Sequence, residues 1–156
     1  MGEIKVISLE KAAAILCRLQ GKTIVFTNGV FDLLHVGHVS YLQEARALGD
    51  VLVVGLNGDA SVRALKGRKR PIVPQDERAQ VLAALSCVDY VIIFEETTAN
   101  RLVEALKPDI YVKGGDWGVG HPPPEAEIIN GYGGQVHILP YKPGYSTTQL
   151  IEIIRG

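Results

Sequence analysis

Short, continuous apolar runs alternate with helix-period patterns along the chain. Together they predict an α/β fold, a single Rossmann-like doubly wound domain with a mainly parallel five-stranded sheet. Three observations carry this expectation. The strand-like runs are unbroken rather than alternating, as in strands buried on both faces. A helical pattern stands between one strand and the next, as crossovers between parallel strands require. Crossovers of this kind are right-handed, which leaves the doubly wound sheet as the natural topology.

The elements follow in order. Ser8 is placed to cap a first helix that runs through Ala12 to Leu19 and stops at Gly21. Thr23 to Thr27 is a β-branched run and reads as the first buried strand. From Gly37 the period changes, and Val39, Leu42, Ala45 and Leu48 mark one face of a helix. Val51 to Leu56 is the second strand, and Asp59 to Leu65 a short helix. Lys66 to Pro74 holds four cations and two prolines and reads as a loop. Gln75 to Leu85 is helical, Tyr90 to Phe94 the third strand, and Thr97 to Leu106 helical again. Ile110 to Lys113 is a fourth strand, cut off by Gly114-Gly115-Asp116. A Gly/Pro-rich loop leads through Pro124 to a helix from about Glu125, a strand from Val136 to Leu139, and a last helix near Ser146.

A chain of 156 residues suits one domain, read here as residues 1–156 with an N-terminal helix over 1–21 and the core over 22–156. The net charge of −1 gives no basic excess for nucleic acid. Cys17 and Cys87 lack the CxxC spacing of a zinc site and read as reduced, buried thiols. No stretch approaches the roughly 18 apolar residues of a membrane span. The first residues lack the apolar core of a signal peptide, so a cytoplasmic protein is expected.

Function is expected beyond the carboxyl ends of the strands, where ligands bind in such sheets. The segment Asn28 to His38 lies there and runs into the following helix. A helix start offers free N–H groups and a partial positive charge, and so attracts anions. Gly37 lets a ligand approach the first turn, and Gly29 does the same at the strand end. His35 and His38, three residues apart, share one side of that turn and can donate ring N–H groups to phosphate. Asp32, His35 and His38 could instead hold a metal, but no further ligand cluster is evident. There is neither a GxGxxG after the first strand nor a P-loop.

Three other segments belong with this site. Lys66, Arg68, Lys69 and Arg70 form either a solvated surface or a clamp over phosphates. Lys113 to Trp117 follows the fourth strand, where Gly115 allows close backbone contact and Asp116 could read a base. Ser146 or Thr147 is an N-cap for the last helix, or a holder for a polyphosphate tail.

Together these residues resemble the nucleotidylyltransferase superfamily, whose hallmark is an HxGH motif after the first strand. The matching residues are G-V-F-D-L-L-H-V-G-H at Gly29 to His38 and Ser146-Thr147-Thr148. The resemblance runs from about Lys22 to Ile154. One branch, the cytidylyltransferases of glycerol 3-phosphate and similar alcohol phosphates, carries an arginine where this chain has Tyr141. The heptose 1-phosphate adenylyltransferases are similar over more motifs. These include T-N-G-V-F-D-L-L-H at Thr27 to His35, K-G-x-x-R-P at Lys66 to Pro71 and V-K-G-G-D-W at Val112 to Trp117.

This resemblance implies AMP transfer from ATP to a sugar 1-phosphate. It implies that His35 and His38 steady the reacting phosphates, with Lys66 and Arg70 neutralising them. Thr27, Asn28, Gly29, Val30 and Phe31 would line the nucleotide pocket, with Gly37 at its phosphate end. Gly115 and Asp116 would border the adenine or ribose, and Ser146 and Thr147 the β/γ end. Mg2+ would ride mainly on the triphosphate, with no protein ligand assigned. Asn57 and Arg78 are candidates for contact with the acceptor; Arg78 could equally pair with a neighbouring acid. A homodimer is also implied. The rival readings are a CTP-dependent cytidylyltransferase, a flavin adenylyltransferase with Trp117 as its one stacking candidate, and a nucleotide-binding module without catalysis.

Overall fold

A computed structural model describes residues 4–115, 117, 118, 120–140 and 143–156. Five strands form one sheet: β1 (Ile24–Gly29), β2 (Val51–Asn57), β3 (Tyr90–Phe94), β4 (Ile110–Gly114) and β5 (Gln135–Leu139). Their order is β3-β2-β1-β4-β5, and every neighbouring pair is parallel. The predicted sheet is therefore present. The strand order reverses at β1, so the crevice between β1 and β4 is the switch point at which such sheets bind ligands.

The helices among the described residues are α1 (Leu9–Cys17), α2 (Val36–Ala47), α3 (Asp59–Lys66), α4 (Gln75–Ala83), α5 (Asn100–Leu106), α6 (Ala126–Gly131) and α7 (Thr147–Arg155). They cover both faces of the sheet. On one, Phe26, Ile92 and Tyr111 of the strands pack with Leu9 and Ala12 of α1, Leu102 and Val103 of α5 and Ile129 of α6. On the other, Val25, Val54 and Val112 pack with Leu42 and Ala45 of α2 and Ala79 and Leu82 of α4. This two-sided burial is why the strands read as unbroken apolar runs. No helix among the described residues is long and apolar enough to cross a membrane.

Several boundaries differ from expectation. β1 continues past Thr27 because Asn28 and Gly29 stay in register with Gly55 and Leu56. Lys66 is the last residue of α3, not part of the loop. α5 starts at Asn100 instead of Thr97. Ser8 does cap α1, accepting from the amide of Lys11 at 3.1 Å. Cys17 is exposed and Cys87 half-buried, so the expectation of two buried thiols fails: α1 turns Leu9 and Ala12 inward, and Cys17 falls off that stripe. The segment ahead of α1 pairs alongside β3, with Val91 donating to Lys5 O at 2.8 Å and Ile7 donating to Val91 O at 3.0 Å.

Candidate active site

The connection from β1 to α2 is built around Asp32. Its carboxylate is fully buried and accepts from Arg70 Nε at 2.9 Å, Ile72 N at 2.8 Å and Val73 N at 3.0 Å. Its backbone carbonyl accepts from Thr147 Oγ1 at 2.6 Å. One residue thus joins the end of β1, the basic loop and the start of α7. Its neighbours Phe31 and Leu33 adopt left-handed backbone, at φ 48° and 50°. Each such residue costs on the order of 1–3 kcal/mol and persists only where the surroundings hold it. Here the Asp32 contacts do so. Asp32 was legible only as a possible metal ligand, because its partners lie far along the chain.

His35 is the N-cap of α2. Its Nδ1 accepts from Gly37 N at 3.1 Å, and His38 Nδ1 accepts from His35 N at 3.2 Å. The ring centroids are 3.9 Å apart. A ring nitrogen that accepts from an amide carries no proton, so each neutral ring holds its proton on Nε2. Both rings therefore keep an Nε2–H donor that their capping bonds do not use. Gly37 permits this fold-back: a Cβ there would lie 2.8 Å from His35 Cε1 and 2.9 Å from Tyr145 Cβ. A Cβ at Gly29 would come within 3.0 Å of the Phe31 ring.

Burial pushes the His38 pKa down to about 4; the neighbouring His35 lowers it further, and Asp32 opposes them. Burial also lowers that of His35. Both rings are neutral near pH 7, as donors to a phosphate. In a proton-NMR titration of the free protein, the His38 ring is expected to stay neutral through pH 6.5 and to titrate near 4. The unfolded chain binds the proton at about 6.5, so folding stability falls as pH drops through this window. A midpoint near 6.5 for His38 would show that the ring is not held as described.

The other expected residues divide. Arg70 is anchored beside the histidine segment through Asp32, while Lys66 is exposed at the end of α3. Ser146 caps α7, accepting from Gln149 N at 3.0 Å. Thr27 is buried, with its hydroxyl donating to Val112 O at 2.8 Å and bonded to Tyr41 Oη at 2.7 Å, so it offers a ligand no side chain. Asn28 Oδ1 accepts from Tyr111 Oη. Gly115 takes φ 78° and donates to Leu139 O at 2.9 Å. Asp116 and Tyr141 lie outside the described residues. Trp117 stacks on His121 at 4.7 Å.

Two residues expected at the acceptor are turned inward. Arg78 is 2% exposed, and its guanidinium donates to Val73 O, Val30 O, Asn57 O and Asp59 Oδ1 at 2.7–2.8 Å. Asn57 is 3% exposed and donates to Ser61 Oγ at 2.9 Å. Arg78 holds the carboxyl ends of β1 and β2 together, and the Asn57 side chain ties the end of β2 to α3. Sequence could not separate these roles, because the four acceptors of Arg78 come from four separate positions along the chain. It also passed over Lys113, which is half-buried with Nζ 3.4 Å from Asn28 O, and Glu125, which is 2% exposed.

No group of three potential ligands for a metal occurs among the described residues. Asp32, the carboxylate nearest the histidines in sequence, has both oxygens committed to N–H groups. The donor set of the described residues does not fit a protein-held Mg2+. An open depression of about 360 Å³ lined by Thr23, Lys107, Asp109 and Tyr132 sits at the opposite, amino edge of the sheet. It holds neither histidine and lies away from the switch point.

Comparison with known proteins places the chain in a family. A family described as cytidylyltransferase-like matches residues 26–153. The bifunctional protein HldE of Geobacter sulfurreducens is 52% identical, over 98% of this chain and 31% of that protein. HldE of Helicobacter pylori is 53% identical, over 97% of this chain and 31% of its own length. The chain thus spans 31% of the length of these curated relatives. Among solved structures, the lipopolysaccharide core biosynthesis protein from Thermoplasma volcanium superimposes with a TM-score of 0.63 at 36% identity, covering 78% of this chain and 98% of that one. Pantoate-beta-alanine ligase from Francisella tularensis, with a TM-score of 0.60 at 16% identity over 99% of this chain and 80% of that one, shares the fold alone.

Proposed function

Because the chain belongs to the cytidylyltransferase-like family, we propose that it is an adenylyltransferase that moves AMP from ATP to a sugar 1-phosphate, a heptose 1-phosphate in particular. The observation that carries this reading is the pair of Nε2–H donors fixed at the start of α2. A phosphate oxygen of the acceptor attacks the α-phosphorus of ATP. The bond from that phosphorus to the bridging oxygen breaks, and pyrophosphate leaves opposite the attacking atom. No covalent enzyme intermediate is needed. Chemistry of this kind is mainly positioning and charge stabilisation.

His35 and His38 donate to phosphate oxygens as charge shifts toward the leaving group. Arg70, held by Asp32, and Lys66 supply positive charge. The amides at the start of α7 face the β/γ end. Magnesium, when bound with the nucleotide, would supply charge neutralisation on the triphosphate. Residues 1–156 then act as one transferase domain, in a cytoplasmic homodimer. The HldE relatives and the name of the Thermoplasma protein support a sugar phosphate as acceptor.

The family's description favours one second reading, a cytidylyltransferase for glycerol 3-phosphate or a similar alcohol phosphate. Pyrophosphate release, measured with ATP and with CTP over a panel of sugar and polyol phosphates, separates the two. Turnover is expected with ATP and a heptose 1-phosphate. Turnover with CTP only would sink the proposal.

A further inference from the structure

We propose that Lys113 and Glu125 form the seat of the acceptor, on the face of the sheet opposite the histidines. Lys113 holds the acceptor's phosphate, and the free oxygen of Glu125 takes a hydroxyl of its sugar. This inference rests on the transferase reading above.

The two faces are told apart by alternation along β1 and β4. Thr27 points toward Tyr41 of α2, on the histidine side. Asn28 points the other way and meets Tyr111. Lys113 follows Tyr111 by two residues and shares its side. Glu125, just ahead of α6, is on this side as well: its Oε1 accepts from Ala99 N at 2.8 Å, at the start of α5. The four residues flank the β1/β4 switch point.

Each group here is short of a partner in a different sense. Glu125 Oε2 is buried with no hydrogen bond, and so is Oδ1 of Asn100, the residue after Ala99. Both are acceptors without a hydrogen bond among the described residues, although the Tyr111 hydroxyl stands close to Glu125. Lys113 is a donor whose one side-chain hydrogen bond among the described residues, to Asn28 O, is long at 3.4 Å. Lys113 and Glu125 do not close the gap themselves, for they make no ion pair. Buried polar atoms in native proteins are otherwise nearly always satisfied. A ligand that completes this set must bring an anion for the ammonium and hydroxyl donors for the two oxygens. A hydroxylated phosphate ester has both. Burial lowers the Lys113 pKa and the nearby Glu125 carboxylate opposes it; a bound phosphate would favour the charged form further.

The test uses Lys113→Met, Lys113→Arg and Glu125→Gln. Michaelis constants are read for ATP and sugar 1-phosphate separately, and a non-hydrolysable ATP analogue is titrated by calorimetry. Lys113→Met is expected to raise the KM for the sugar phosphate by about 10- to 100-fold, the worth of a hydrogen bond to a charged group. Analogue affinity is expected to stay at the wild-type value, and Lys113→Arg to recover part of the loss. Glu125→Gln is expected to raise the same KM, and less so for an acceptor stripped of ring hydroxyls. Should Glu125→Gln fail to fold, the two Lys113 variants decide alone. An unchanged acceptor KM overturns the inference, as does weakened binding of the ATP analogue, which would assign the seat to the nucleotide. Both leave the transferase reading intact. A wild-type protein that releases no pyrophosphate with any sugar phosphate removes both.

Discussion

Replacing His35 by asparagine is expected to lower kcat by about 10²- to 10³-fold, the usual cost of removing one donor aimed at developing charge. The fold should be untouched. An asparagine oxygen falls near the place of Nδ1 and can still accept from Gly37 N, so α2 keeps its cap. What is lost is the donor at Nε2. Glutamine makes the opposite exchange, because its amide nitrogen falls near Nε2 while nothing remains at Nδ1. His35→Gln should therefore retain part of the rate and lose about 1 kcal/mol of stability, the typical worth of a cap. Pyrophosphate release and thermal melting read the two effects separately. Full activity in His35→Asn would show that the ring serves α2 and nothing else.

Arg78→Ala is expected to destabilise the protein by about 3–5 kcal/mol, the cost of removing a buried guanidinium that is ion-paired and satisfies three carbonyls. Its side chain is 1% exposed, and its removal strands three carbonyls and the Asp59 carboxylate. Lysine should not rescue it. A single ammonium cannot reach acceptors spread over Val30, Asn57, Asp59 and Val73 in the way a planar fork does. Urea unfolding measures the loss directly. If Arg78→Ala kept its stability and only raised the KM for the acceptor, the inward placement would be wrong and a substrate role restored.

The fold was legible because its signals are local. Thr-Ile-Val-Phe-Thr and Val-Leu-Val-Val-Gly-Leu need both faces covered wherever they sit, and alternation with helices then leaves one common sheet. The histidine pair was legible for the same reason: a helix start behind a buried strand is an anion site in any parallel sheet. Asp32, Arg78 and Glu125 were not. A buried charge is defined by its partners, and theirs lie up to 48 positions away. In sequence, Asp32 looks like a ligand and Arg78 like a surface cation. Lys113 stood in a motif noted for its glycines, and nothing local marked it as half-buried beside Asn28.

The contacts of Asp32 also bear on the order in which the chain can assemble. Its carbonyl waits for Thr147, 115 positions further on, and its carboxylate for Arg70, 38 positions on. Domains are made from the N-terminus, and contacts across long loops form late because the chain must first surrender the entropy of closing them. A nascent chain on the ribosome can assemble β1, α2 and β2 early. It cannot close the bond from Thr147 to the Asp32 carbonyl until α7 has emerged. A copy without α7 therefore lacks the contact that ties this helix to the end of β1.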